Sequence, residues 1–242
     1  MKLLCDLGNT RIKWAWTDGI ELTNFGSGGY VGADDYTARL PTLPVPEAIV
    51  AISVARHHNE AFARLCERRW GRAPRWRESV REGFGVESLY EPPESLGADR
   101  FAALVGARAR YPGRSVCVAD CGTAITVDAL DAEGVFQGGV ILPGLSAAAG
   151  ALQGVAAGLA PGDQNRLYAA YGRTTRDAIG AGLVIGAAGA VERIFGDQGA
   201  VLGPGALLVM TGGDAARIGA YLTCPYEHQT HLTLEGLAVM AV

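Results

Sequence analysis

Three carboxylates stand where a chain can hold a charged ligand: Asp6, Asp99 and Asp120. Asp6 closes the apolar run Leu3, Leu4, Cys5 and leads into Leu7, Gly8, Asn9 and Thr10. Asp120 closes Val116, Cys117, Val118, Ala119 and leads into Cys121, Gly122 and Thr123. An alternating apolar run follows each: Ile12, Trp14, Trp16 after the first, Ile125, Val127, Ala129 after the second. A glycine turn between two strands lets backbone N–H groups approach a polyphosphate closely. A carboxylate at that point repels phosphate directly but holds a cation, or a water on a cation, that bridges to it. Either copy alone reads equally as an ordinary β-hairpin with an Asp-Gly turn. Two copies in one chain favour a nucleotide site between two similar halves.

Asp99 lies in a different setting. Pro92 and Pro93 impose an extended segment, after which Ser95 or Gly97 opens a helix over Ala98–Arg110 with Phe101, Leu104 and Val105 on its apolar face. Gly97, Ala98, Asp99 and Arg100 then occupy a helix N-terminus, where free N–H groups and the positive dipole end favour anions. Asp99 serves equally as a carboxylate that complements the dipole. Arg100 sits on the unfavourable end of that dipole, which suggests an anionic partner. A third feature is Gly212-Gly213 before Asp214, after a short apolar strand. It reads as a seat for a base or ribose, or as a tight strand–helix turn.

The elements that must carry these residues alternate between strands and helices, as in a layered α/β fold. Residues 20–25 complete a meander with the first hairpin, and 26–29 form a loop. Residues 33–40 read as a short helix ended by Pro41, with Pro44 and Pro46 continuing the connection. Ala48, Ile49, Val50, Ala51 and Ile52 have the continuous apolar pattern of a buried parallel strand. Asn59–Trp70 has helical spacing. In the second half, residues 135–142 form a strand, 145–152 a helix, 154–166 a loop, 178–195 a long small-residue helix capped by Thr174 or Thr175, 206–210 a strand and 232–242 a closing helix. The glycines and alanines of the long helix point to close packing, inside the domain or against a second subunit. The division falls at 1–112 and 113–242.

Bulk composition narrows the classes. The chain has 242 residues, 49% hydrophobic and 19% charged, with a net charge of −4. That balance disfavours nucleic acid as the main partner. No apolar run reaches the roughly 18–20 residues that span a bilayer, and the N-terminus lacks the pattern of a signal peptide. Five scattered cysteines fit a reducing cytoplasm, and Cys117 and Cys121 lack metal-ligand spacing. The four histidines form no ligand or triad pattern, and no P-loop, dinucleotide fingerprint or serine elbow is present. Arg64, Arg68, Arg69, Arg72, Arg75, Arg77 and Arg81 make a basic stretch interleaved with Trp70 and Trp76. It reads as an anion surface, or as a solvated face offset by Glu60, Glu67, Glu78 and Glu82.

Four motifs taken together, D-L-G-N-T from Asp6, G-A-D-R from Gly97, D-C-G-T-A from Asp120 and G-G-V-I-L-P-G from Gly138, resemble the type III pantothenate kinases in order and spacing. The resemblance implies an actin-like ATPase-superfamily fold, with two ribonuclease-H-like halves and a nucleotide cleft between them. It implies a cytoplasmic homodimer that phosphorylates pantothenate from ATP with Mg2+ and a monovalent cation, K+ or NH4+, in the first step of coenzyme A synthesis. Carried across, Asp6, Leu7, Gly8, Asn9, Thr10, Arg11, Ile12 and Lys13 form the first phosphate loop, with Asp6 near magnesium, and Thr123 touches ATP. Asp99 is the general base. Tyr90, Gly97, Ala98, Asp99 and Arg100 meet pantothenate, Thr175 reaches it from the partner subunit, and Asp120 holds the monovalent cation. The alternatives are a kinase of the same superfamily with another small acceptor, and a transcription accessory protein (Bvg accessory factor) that kept the fold.

Overall fold

The computed structural model describes residues 1–19, 21–30, 40, 45–155 and 167–242. The helix read over 33–40, apart from Leu40, the turn residues Pro41 and Pro44, and most of the 154–166 loop lie outside the described residues. The chain divides into two compact units. The first comprises Met1–Gly113, Gly134–Phe136 and His231–Val242; the second comprises Arg114–Glu133 and Gln137–Thr230.

In the first unit, β1 (Lys2–Leu7) pairs antiparallel with β2 (Arg11–Thr17), which pairs with β3 (Leu22–Gly29). The register sets Leu3 opposite Trp16, Cys5 opposite Trp14 and Leu7 opposite Ile12. With side chains alternating faces every residue, these six enter one core together with Phe62, Leu65 and Cys66. β4 (Ala48–Ser53) lies parallel to β1, and its continuous apolar run is buried as a central parallel strand requires. α1 (Asn59–Trp70) buries Phe62, Leu65, Cys66 and Trp70 at helical spacing and stops at Gly71, whose φ of 64° is left-handed. β5 (Arg75–Trp76) completes the sheet order β3-β2-β1-β4-β5.

One expectation needs correction. Residues 26–29 are part of β3, not a loop. Glycine favours loops on propensity, but tertiary packing decides here. The Trp14 indole lies over Gly26, where a Cβ would come within 2.3 Å of the ring.

β6 (Glu82–Gly83) and β7 (Val86–Ser88) form a short antiparallel pair, and a 3-10 turn at Pro93–Ser95 leads into α2 (Ala98–Arg110). α2 buries Phe101, Leu104 and Val105 as read, along with Ala102, Ala103 and Ala107.

The second unit opens with β8 (Val116–Cys121), β9 (Ala124–Leu130) and β10 (Val135–Pro143). The first residues of β10 belong to the first unit, where Val135 and Phe136 pair with Glu87 and Ser88 of β7. α3 (Leu145–Val155) and α4 (Thr175–Leu202) follow, then β11 (Leu207–Thr211), α5 (Ala215–Gly219) and β12 (Glu227–His228). The sheet order here is β12-β11-β8-β9-β10, with β11 parallel to β8. Its core gathers Cys117, Ala119, Val127, Val184, Val191 and Met210. α6 (Leu232–Met240) returns to the first unit and packs along α2. That contact is close because a Cβ at Gly106 would lie 2.4 Å from the Leu232 carbonyl oxygen. The division read from the sequence grouped residues 232–242 with the second half.

α4 also revises the reading of apolar length. It is 28 residues long with a mean hydropathy of 1.5 in its most apolar window, long and apolar enough to cross a membrane by those two measures. That window is 28% buried, and α4 carries Glu192, Arg193 and Asp197 and packs on β8 and β9.

Candidate active site

Asp6 sits one residue from the end of β1, opposite Lys13 in register, and its Oδ2 lies 3.6 Å from Lys13 Nζ. The carboxylate belongs to a residue only 4% exposed, whereas the Lys13 side chain reaches solvent. Gly8 N–H donates to the Arg11 carbonyl at 3.0 Å and closes the turn. The Gly8 carbonyl in turn accepts from Tyr30 Oη at 2.7 Å. Tyr30 is held against the His58 ring at 3.9 Å, and His58 against His57 at 4.0 Å. Asn9, Thr10 and Arg11 are exposed at the tip. Leu7 and Ile12 point into the core, so this pair offers a ligand its backbone only.

The second turn is one residue tighter. Pairing resumes at Cys121 and Ile125, against Leu7 and Ile12 in the first copy. Gly122 N–H donates to the Ala124 carbonyl at 2.9 Å, and Thr123 is exposed. Thr126 stands opposite Asp120 where the first copy has Lys13, and its buried Oγ1 makes no hydrogen bond. Gly212 follows β11 with φ +92°. A Cβ there would lie 2.5 Å from both Asp120 Oδ1 and the Cys121 carbonyl oxygen, so these two oxygens face the bare backbone of Gly212. Asp214 N–H donates to the Cys121 carbonyl at 2.9 Å. Burial pushes the Asp214 carboxyl up, partly offset by the Arg217 guanidinium. Burial, then Asp120 and Asp214, push the Cys121 thiol up to about 12, which keeps it protonated and unreactive.

The start of α2 is the third arrangement. Gly97 is the N-cap and contributes no side chain. Asp99 Oδ1 accepts from the Arg100 N–H at 2.7 Å, satisfying one of the free first-turn donors. A Cβ at Gly97 would lie 2.7 Å from that same Oδ1, so glycine leaves the carboxylate room to turn. Arg100 is 8% exposed. Its Nη1 donates to Tyr90 Oη at 3.0 Å, and its guanidinium carbon lies 5.2 Å from the Tyr90 ring centre and 5.7 Å from that of Phe136. The two rings are themselves 5.2 Å apart. Stacking on aromatic faces offsets the desolvation of the cation and holds it against Tyr90 and Phe136.

The structure thus brings Tyr90 against Arg100 in the first unit, where Gly97, Ala98 and Asp99 form the adjoining start of α2, and brings Asp120 against Gly212 in the second. Thr175 is exposed as the first residue of α4; Thr174 is its N-cap, accepting from Asp177 N–H at 3.1 Å. Tyr30, Phe136 and Asp214 were missed by sequence reasoning. For Asp214 the signal was present in Gly212-Gly213-Asp214. Tyr30 and Phe136 join the site only through pairings distant in sequence.

The donor chemistry fits hard cations. Among the described residues, no three His, Cys, Asp or Glu side chains form a metal cluster. One carboxylate per turn suits magnesium, which keeps waters and takes its other ligands from phosphate. The Asp120 carboxylate and Cys121 carbonyl likewise offer only oxygen to a cation beside Gly212.

Comparison with known proteins places the chain in a family. The profile of type III pantothenate kinases matches residues 2–197. A type III pantothenate kinase of Nitrosococcus oceani is 35% identical over 249 residues, covering 100% of this chain and 94% of the relative. Among solved structures, a Campylobacter jejuni protein named for the Baf family of transcriptional activators aligns with TM-score 0.63 and 20% identity, over 99% of this chain and 97% of that one. A Sinorhizobium meliloti protein named as a 2-dehydro-3-deoxygalactonokinase aligns with TM-score 0.53 and 12% identity, over 100% and 98%. At those identities the structures speak to the fold, which is the actin-like ATPase fold of mixed α/β sheets. With the profile spanning most of its length and the relative matching throughout, the chain belongs to the type III pantothenate kinase family.

Proposed function

We propose that this chain transfers the γ-phosphoryl group of ATP to the 4′-hydroxyl of pantothenate, the first step of coenzyme A synthesis. The observation that carries the reading is the start of α2. There the Asp99 carboxylate accepts from the Arg100 N–H in the first turn of the helix, and the Arg100 guanidinium is held on Tyr90, in a chain that matches the family along its length. In the reaction a bond forms between the acceptor oxygen and the γ-phosphorus, and the bond from that phosphorus to the β–γ bridging oxygen breaks. Asp99 takes the hydroxyl proton. Arg100 faces the negative charge of the substrate.

Phosphoryl transfer asks the protein mainly to position groups and to neutralise charge. The first turn offers ATP the Gly8 backbone and Lys13, with Thr123 from the second turn. Asp6 would hold Mg2+, which when bound offsets charge on phosphate oxygens. Asp120 would hold K+ or NH4+. We further place the enzyme in the cytoplasm as a homodimer, with Thr175 reaching the partner's substrate and neither membrane nor nucleic acid as a partner. A regulatory reading draws only on the name of the C. jejuni protein, which at 20% identity speaks to fold alone.

The test is ADP release from purified protein with magnesium-ATP and pantothenate, in potassium, ammonium and sodium salts, with acetate, glycerol and glucose as control acceptors. Turnover that needs pantothenate, and potassium or ammonium, is the expected result. Equal rates in sodium remove the Asp120 assignment. A folded protein that binds ATP but turns over no acceptor supports the regulatory reading.

A further inference from the structure

The basic stretch from Arg64 to Arg81 is the sequence feature that phosphoryl transfer leaves without a role. Much of it is surface: Arg64 pairs with Glu60 one helical turn away, and Arg68 and Arg72 are exposed. Its last residues are used differently. Ser79 is 7% exposed, and its Oγ donates to the Leu96 carbonyl at 2.8 Å, with the Pro93 carbonyl a second acceptor at 3.3 Å. Leu96 immediately precedes the N-cap Gly97. Arg81 donates from Nη1 to the Ser88 carbonyl at 3.3 Å. From Nη2 it donates to Glu91 Oε1 at 2.7 Å and, at greater length, to the Tyr90 carbonyl at 3.5 Å. Its own carbonyl accepts from Ser88 N–H at 2.7 Å. Ser88 completes the set, since its Oγ accepts from Tyr90 N–H at 3.3 Å.

Two residues therefore fasten both ends of the segment 88–97. One end carries Tyr90, which holds Arg100; the other delivers Gly97 and Asp99. We propose that Ser79 and Arg81 are positioning residues for the acceptor substrate, a clamp that sets the distance between Tyr90 and the start of α2. The proposal rests on the reading that Tyr90, Asp99 and Arg100 meet pantothenate. Arg81 acts through the two carbonyls rather than through Glu91, because an ion pair so exposed is largely screened by solvent. Its planar fork offers a separate nitrogen to each carbonyl, a geometry that the single nitrogen of an ammonium matches less well.

The test is the kinetics of Arg81→Met, Arg81→Lys and Ser79→Ala, measured separately against pantothenate and ATP. Arg81→Met keeps the packed stem and removes the donors. Its pantothenate KM rises about fivefold, the effect of one ordinary hydrogen bond, while its ATP KM stays at the wild-type value. Arg81→Lys recovers part of that loss. Ser79→Ala lowers kcat about tenfold by loosening the approach to Asp99. A merely structural role would move both KM values together, and that result overturns the clamp, as do variants that match wild type. Arg81 is half exposed, so its variants fold and decide the matter even where Ser79→Ala does not. Wild-type protein without pantothenate-dependent turnover overturns the functional reading and the clamp with it. An active wild type with unmoved variants overturns the clamp alone.

Discussion

Replacing Gly97 with alanine would direct almost its whole effect onto one carboxylate. The backbone there has φ −58° and ψ 136°, open to any residue, so alanine adds no backbone strain. The new Cβ meets Val54 Cγ1 at 3.6 Å, an ordinary contact, but meets Asp99 Oδ1 at 2.7 Å. The flexible partner yields, so the Asp99 carboxylate turns away and loses its 2.7 Å bond from Arg100 N–H. A hydrogen bond to a charged group contributes about 1.5–3 kcal/mol. Asp99 is partly exposed, and water replaces part of the loss. A net cost of about 1 kcal/mol lowers Tm by about 2–4 °C in a protein of this size. The rate suffers more, because displacing a reacting group by about 1 Å costs on the order of 10²-fold. The assay is steady-state ADP release with saturating pantothenate, beside a thermal melt. A fall in kcat of that order with a small melting shift is expected, and adding Asp99→Asn to Gly97→Ala slows the enzyme no further than Asp99→Asn alone. Near-normal kcat in folded Gly97→Ala would refute the placement of Asp99 at the reacting hydroxyl.

Other expectations follow from the same geometry. Asp99→Asn should lose about 10²–10⁴-fold in kcat with the fold intact, and near-normal turnover would remove the base assignment. Tyr30→Phe keeps the ring on His58 but deletes the bond to the Gly8 carbonyl; its ATP KM should rise about fivefold with pantothenate KM unchanged, and the reverse split would place Tyr30 elsewhere in the mechanism. His231 stacks on Phe25 at 3.8 Å, and its pKa lies below the usual 6.5, through burial first and then Lys13, against an opposing pull from Glu235. The folded state therefore favours neutral His231. That stability is complete above the unfolded pKa and is lost as pH falls through the lower folded value. Urea midpoints for wild type should drop more steeply below about pH 6.5 than those of His231→Phe, and parallel curves would deny the contribution.

Much of the site was legible because its carriers are local. The alternation through Ile12, Trp14 and Trp16 and through Ile125, Val127 and Ala129 marks both hairpins, and Phe101, Leu104 and Val105 mark α2 by their spacing alone. What was hidden depends on contacts distant in sequence. Gly26 reads as loop until Trp14 is seen lying over it. Phe136 reads as one residue of a strand until Arg100 stacks on it. Arg81 reads as part of a basic surface, and Ser79 carries no signal at all, until their acceptors appear at Ser88 and Leu96. Nothing in the order of elements reveals that α6 returns to pack on α2, because the small residues that permit it, Gly106 and Gly236, fit any close helix pair.

The central claim is that a phosphoryl group leaves ATP and arrives on pantothenate. Mass spectrometry of the acceptor after incubation with magnesium-ATP and a potassium salt tests it most directly. The expected result is pantothenate carrying one phosphoryl group in amounts equal to the ADP formed, and about 10²–10⁴-fold slower formation of it by protein carrying Asp99→Asn. ADP formed without phosphorylated pantothenate, or unmodified pantothenate from a folded, ATP-binding wild type, would contradict it.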